Sequence, residues 1–315
     1  MTARSAITRT VTSKDGTTIG YRQLGHGPGL VLLHGIMESA QSHTELAEEL
    51  ADEFTVYLPD RRGRGLSGPQ GAGHGILKEV EDLEALLEKT GANRVFGVSA
   101  GAVICLQAAL TLTAIERAAI FEPPLLVNGS VSTAFLSRFD EEMAEGKVAS
   151  ALVTAMKGSQ MGPPVFNIVP RGLLERLTKM MTVSEDKKAK PGDVTMTMLA
   201  STLHDDFQLS VETEGALESF KGIHSEILLL GGSKSPAYLK VALDALESVL
   251  TTASRIELPG LNHGASGNKN RGGNPERVAR ELRSFFARDR RLHRPRHAAD
   301  VAEAPPHSNP LGAGR

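Results

Sequence analysis

The stretch Arg94-Val95-Phe96-Gly97-Val98-Ser99-Ala100-Gly101 decides how this chain is read, because an apolar strand signal runs without a break into Ser99 and a small-residue helix, residues 100–110, follows at once. Gly97 and Gly101 flank the serine in the pattern G-x-S-x-G. At a strand-turn-helix junction such a serine occupies a strained turn, and residues without a Cβ let strand and helix pass close on either side. The turn exposes a hydroxyl.

Working outward, residues 7–11 and 17–23 alternate as strands around Asp15-Gly16, a hairpin signal. Residues 29–33 and 54–58 are apolar strands, the first ending in His34-Gly35-Ile36 and the second in Asp60-Arg61-Arg62-Gly63-Arg64-Gly65-Leu66-Ser67. Ile76, Val80, Leu83 and Leu87 recur at helical spacing until Gly91 stops them. Residues 118–121, 226–230 and 255–258 read as further strands. Residues 236–250 read as a helix with Leu239, Leu243 and Leu246 on one face. Asn274-Pro275 opens a final helix that buries Val278, Leu282 and Phe285. This alternation predicts an α/β class: a mainly parallel, doubly wound sheet with helices on both faces and its chemistry at the carboxyl ends of the strands.

The alternation stops between Pro124 and Phe220. So long a stretch is not an unstructured loop in a compact domain, which predicts a helical lid inserted at 125–220, after the strand ending near Phe121, in a core made of 1–124 and 221–290. Helical pieces are expected at 132–144, 147–156 and 172–181, with an exposed charged loop at 184–193. Seven of the 9 methionines lie in this insertion, where flexible thioethers suit either an adaptable pocket wall or ordinary filling between helices. Residues 291–315 are basic and then Pro/Ala/Gly-rich without apolar periodicity, the signature of a disordered tail.

Composition bounds the function. Of the 315 residues 40% are hydrophobic and 23% charged, ordinary for a globular protein, and a formal charge of -2 argues against a polyanion-binding surface. Nucleic acid is therefore not an expected partner. The one cysteine, Cys105, cannot pair within the chain and lies on the apolar helix after Ser99, as a buried reduced thiol. With no apolar leader in the first residues and no run of 18 apolar residues, neither membrane insertion nor export is expected, and the protein is placed in the cytoplasm. Self-association as a homodimer is left open by the sequence.

The four motifs, His34-Gly35-Ile36, Asp60 to Ser67, Gly97 to Gly101, and Leu258-Pro259-Gly260-Leu261-Asn262-His263-Gly264, occur in an order that resembles the α/β-hydrolase superfamily, in its lid-bearing serine esterase-like branch. The resemblance covers residues 8–124 and 222–288. It implies that Ser99 is the nucleophile, that His263 is its base, and that the backbone N–H groups of Ile36 and Ala100 form an oxyanion hole. It also implies that His34 is structural.

The chemistry needs each part. An unactivated hydroxyl is a poor nucleophile at neutral pH, so Ser99 requires an imidazole that takes its proton and passes it to the leaving group. A carboxylate must then fix the imidazole tautomer. In the family this acid normally follows the strand that here reads Ile227-Leu228-Leu229-Leu230, but the chain continues Gly231-Gly232-Ser233-Lys234-Ser235, with no carboxylate before Asp244. Glu122, directly after residues 118–121, is the leading substitute, since some superfamily members place their acid there; the alternative is that it only braces the lid hinge. Asp205 and Asp206 in the insertion are weaker substitutes. Asp60 and Arg64 read as loop-bracing residues.

A serine nucleophile sets aside the aspartate route of the dehalogenases and epoxide hydrolases of this family and leaves acyl transfer to water. The expected activity is hydrolysis of a carboxylic ester or lactone with a small to medium apolar acyl part. C–C bond hydrolysis, cofactor-free perhydrolysis and a non-catalytic ligand-binding sensor are the alternatives. No metal and no organic cofactor is expected, because no H-E-x-x-H, no Cys/His cluster and no G-x-G-x-x-G at a strand-helix junction occurs.

Overall fold

The computed structural model describes residues 6–127, 129, 132–161 and 168–287. β1 (Ile7–Thr12) and β2 (Thr18–Gly25) form an antiparallel hairpin, whose turn is set by Gly16 at φ 87° and by Asp15 Oδ1 accepting from Thr17 N at 3.0 Å. Then come β3 (Gly29–Leu33), α1 (Thr44–Leu50), β4 (Thr55–Pro59), α2 (Ile76–Thr90), β5 (Arg94–Val98), α3 (Ala100–Thr111) and β6 (Arg117–Phe121). Five helices follow: α4 (Phe135–Ala144), α5 (Val148–Gly158), α6 (Arg171–Lys188), α7 (Met196–Ala200) and α8 (Leu203–Glu212). The chain returns to the sheet with β7 (Glu226–Gly232), α9 (Ala237–Val249), β8 (Ala253–Leu258) and α10 (Pro275–Phe286).

The strands form one eight-stranded sheet in the order β1-β2-β4-β3-β5-β6-β7-β8, antiparallel at the β1-β2 and β2-β4 joins and parallel from β4 onward. The central strands are apolar runs because helices cover both faces. Their side chains alternate between two cores: Ala118 and Ile120 of β6 face α2, α3 and α9, while Ala119 and Phe121 face α1 and α10. α3, behind Ser99, is buried along most of its length, Cys105 included, and burial pushes that thiol's pKa up. A small apolar side chain at nearly every turn of α3 is what lets it press against the sheet. Among the described residues no helix is long and apolar enough to cross a membrane.

The helices between β6 and β7 have an apolar cluster of their own, Phe139, Ala151, Leu152, Ala155, Ala200 and Leu203, extended by an edge-on Phe135–Phe207 pair at 5.0 Å. Ile36 and Met37 pack against it, so the insertion seats over the loop that leaves β3. One expectation needs correction here. Residues 184–188 are not loop: they complete α6, and the charged side chains have work to do, with Glu185 accepting from Met196 N at 3.0 Å and Asp186 from the Thr197 hydroxyl at 2.8 Å. Lys187 and Lys188 suit the negative end of that helix. The methionines, left open between pocket wall and filling between helices, do not behave as one group. Met143 and Met196 pack with the apolar cluster, but Met161, Met180, Met181 and Met198 are exposed. The expected tail, 291–315, lies outside the described residues.

Candidate active site

Ser99 caps the N-terminus of α3 at φ 55°, ψ -123°, a conformation in which a non-glycine residue is strained. The neighbouring glycines explain how the turn closes. A Cβ on Gly97 would meet Gly101 O at 2.3 Å, and one on Gly101 would meet Leu33 O at 2.4 Å. Ser99 N donates to Phe121 O at 3.0 Å, pinning the turn to the end of β6. Ala100 is the first residue of α3, where backbone N–H groups have no partner within the helix. Gly101→Ala is expected to cost about 1–3 kcal/mol or more through overpacking against backbone, measurable by urea unfolding.

The loop after β3 presses on this turn. A Cβ on Gly35 would lie 2.9 Å from Ser99 Cβ, so only glycine lets the His34-Gly35-Ile36 backbone come so near. His34 is buried; its Nε2 accepts from Arg61 N at 3.1 Å, which puts the proton on Nδ1, 3.0 Å from Gly35 O. Burial, then the charges of Arg64 and Arg61, hold it neutral. It braces the loop.

His263 begins a short 3-10 turn, His263–Ser266, capped by Asn262, whose side chain accepts from Gly264 N at 3.1 Å. Its Nδ1 lies 2.8 Å from Glu122 Oε2. Glu122 is fully buried, at φ 47°, with its other carboxylate oxygen accepting from Gly232 N at 2.6 Å and its own N–H bonded to Leu230 O at 3.1 Å. A carboxylate facing Nδ1 requires the proton there and leaves Nε2 as an acceptor. Gly231 and Gly232 make this possible: a Cβ on Gly231 would meet Leu243 at 2.7 Å and Glu122 Oε1 at 3.0 Å, and one on Gly232 would meet Leu261 O at 2.4 Å. Ser235 is buried, and its hydroxyl has no hydrogen-bond partner among the described residues.

The aspartates of the insertion do not reach this imidazole nitrogen. Asp206, on α8, is fully buried between Arg61 Nη2 at 2.8 Å and both terminal nitrogens of Arg64 at 3.1 and 3.2 Å. Arg61 also grips Glu79 of α2 with two bonds of 2.7 and 3.1 Å. Burial would lower the Arg61 pKa, but Asp206 and Glu79 outweigh it and raise it. Asp205, next along α8, is only half-buried. Asp60 is a hub, taking Ala40 N at 2.8 Å, Arg22 at 2.9 Å and Leu66 N at 3.0 Å. Gly232 and the pair Glu38–His43, described below, carry no motif; the Gly-Gly after an apolar strand was the available signal for the first. Among the described residues no group of three His, Cys, Asp or Glu side chains is placed to hold a metal ion.

The chain is 38% identical over 96 residues to an uncharacterized hydrolase of Bacillus subtilis (strain 168), YraK, covering 29% of this chain and 35% of that one. The match thus spans about a third of the length of that relative. Among solved structures, an alpha/beta hydrolase from Sphaerobacter thermophilus DSM 20745 superposes with a TM-score of 0.72 at 32% identity, over 88% of this chain and 100% of that one. The esterase RhEst1 from Rhodococcus sp. ECU1013 superposes with a TM-score of 0.60 at 21% identity, over 89% and 98%, a likeness of fold. The alpha/beta hydrolase family profile matches residues 30–281, from β3 into α10, and the chain belongs to that family.

Proposed function

We propose that this protein is a serine hydrolase that cleaves a carboxylic ester or lactone with a small to medium apolar acyl part through an acyl-enzyme. The observation that carries the reading is the Glu122–His263 contact of 2.8 Å at the strand ends beside the Ser99 turn. In this reading His263 Nε2 takes the Ser99 proton as Oγ attacks the carbonyl carbon, and Glu122 stabilises the imidazolium that forms. The oxyanion is received by Ile36 N–H and Ala100 N–H, each worth about 3–4 kcal/mol in comparable sites. The imidazolium then gives its proton to the leaving alkoxide. Water, deprotonated by the same nitrogen, attacks the acyl-enzyme, and collapse of the second tetrahedral intermediate releases the acid and restores the Ser99 hydroxyl.

Ile36 and Met37, partly buried in the loop beside the Ser99 turn where the insertion seats, support an apolar acyl part, and the helices α4–α8 serve as the lid in this reading. A protein that only binds ligand has no use for a strained, fully buried glutamate aimed at an imidazole, since each such backbone conformation costs about 1–3 kcal/mol. The test is a fluorophosphonate probe together with a screen of short-chain aryl esters and lactones. The probe is expected to label the protein once, at Ser99, and Ser99→Ala should abolish both labelling and turnover. A folded sample that binds apolar ligands yet neither labels nor turns over would establish the sensor alternative instead.

A further inference from the structure

Glu38 and His43 form a second carboxylate–imidazole pair, and it lies between the two loops on which the proposed mechanism depends. Glu38 Oε2 accepts from Gly35 N at 2.8 Å, in the loop beside Ser99, and faces His43 Nε2 at 3.0 Å. His43 Nδ1 lies 2.9 Å from Ser266 O, the end of the turn that His263 begins. Both ring nitrogens therefore face acceptors. A neutral imidazole has one N–H and satisfies one of them; only the imidazolium satisfies both. His43 is 2% exposed, so no solvent replaces a lost bond, and a buried group left unpaired costs about 1–3 kcal/mol.

We infer that His43 is held as an imidazolium against Glu38 and acts as a positioning residue, strapping the oxyanion loop to the loop that carries His263. Its catalytic consequence rests on the serine hydrolase reading; the strap itself does not. The same two segments are joined beside it by Asn268, which donates to Ser42 O at 2.9 Å and Gln41 O at 2.8 Å, and by Arg271, which donates to Met37 O at 3.2 Å. The charged and titratable groups around the pair are Arg271, which opposes the His43 charge, His34 beside Glu38, and Asp60, which holds Ala40 N. Burial alone would lower the His43 pKa, but the Glu38 charge and hydrogen bond and the Ser266 carbonyl outweigh it, and the net shift is upward. Burial alone would raise Glu38, but His43 and Gly35 N–H hold its carboxyl well below the usual range. The pair's contribution to stability is thus full between the ordinary Glu and His values. It is lost as pH rises through the raised His43 value or falls through the lowered Glu38 value.

The test is a pH titration of the 15N-labelled full chain, reading the ring nitrogens of His43 and His263, beside the kinetics of an aryl ester. In the wild type both His43 nitrogens should stay protonated above neutral pH, and the His263 signals should shift when His43 finally loses its proton. Glu38→Gln keeps an acceptor for Gly35 N–H but removes the charge, so His43 should titrate at lower pH. It should also lower kcat by roughly tenfold with little change in KM, the loss growing with pH, as a small misplacement of donors does. One protonated nitrogen on His43 at neutral pH, or a His43 titration that leaves His263 unmoved, would overturn the inference. Should Glu38→Gln not fold, the wild-type titration decides alone. Absence of turnover and labelling in the wild type, with the titration as expected, would remove the hydrolase reading and leave the strap.

Discussion

Glu122→Gln is expected to fold normally and to lower kcat by about 10⁴-fold, the loss seen when a triad carboxylate is replaced by its amide. The side chains are nearly isosteric, and the amide oxygen can still accept from Gly232 N, as Glu122 Oε1 does now at 2.6 Å. What changes is the face presented to His263. The amide nitrogen would donate towards Nδ1, where a carboxylate oxygen now lies at 2.8 Å, and the imidazole would have to move its proton to Nε2. That nitrogen could then no longer accept from Ser99. The measurement is kcat for an aryl ester together with the thermal midpoint, and Asp205→Asn should leave both near the wild-type values. Equal losses in Glu122→Gln and Asp205→Asn would remove Glu122 from the role proposed for it.

The largest expected effect on stability comes from Asp206→Ala. Among the described residues Asp206 is the only carboxylate that pairs with Arg64, and both guanidinium groups beside it are almost fully buried. Removing it leaves buried positive charge uncompensated, which costs about 3–5 kcal/mol. Among the described residues Arg61 Nη1 and Arg64 Nε already lack hydrogen-bond partners, so the surroundings there offer little to replace the lost bonds. Urea unfolding should show the loss, and because the pairs are shielded from solvent, added salt should change it little. A loss below about 1 kcal/mol would mean that the cluster behaves like a solvated surface network.

Much of this architecture is legible in the residues themselves. The apolar runs of the central strands, the Asp15-Gly16 turn, the Gly91 stop and the Asn274-Pro275 start are local signals, and the local chain obeys them. The nearness of Ser99 to the β3 loop is legible for the same reason, since Gly35, Gly97 and Gly101 each mark a place where two backbones nearly touch. Glu122 stands out in the sequence because it follows an apolar strand directly, at a place where some members of the resembled superfamily carry their acid, and the structure sets its carboxylate 2.8 Å from His263 Nδ1. The Glu38–His43 pair is not legible, because its meaning lies in contacts with Gly35 and with Ser266, a partner 223 residues away. The end of α6 is not legible either: the charge of Ser184 to Lys188 reads as loop, and only their partners at the start of α7 make them helix. The division of the methionines is not legible for a related reason, since composition tells how many apolar side chains a segment holds but not which of them find neighbours.

The position of Glu122 has a consequence for the order in which a growing chain acquires its parts. Ser99 and Glu122 stand at the ends of β5 and β6, adjacent strands of a single βαβ unit that can form from contiguous sequence, while His263 lies 141 residues beyond Glu122. During synthesis, which proceeds from the N-terminus and lets early segments fold first, the serine and the glutamate proposed as nucleophile and acid are therefore in place long before the histidine proposed as base exists. The imidazole arrives after β8, from a loop that must dock against segments already laid down, so that under the proposed mechanism the half-built site holds a serine without its base.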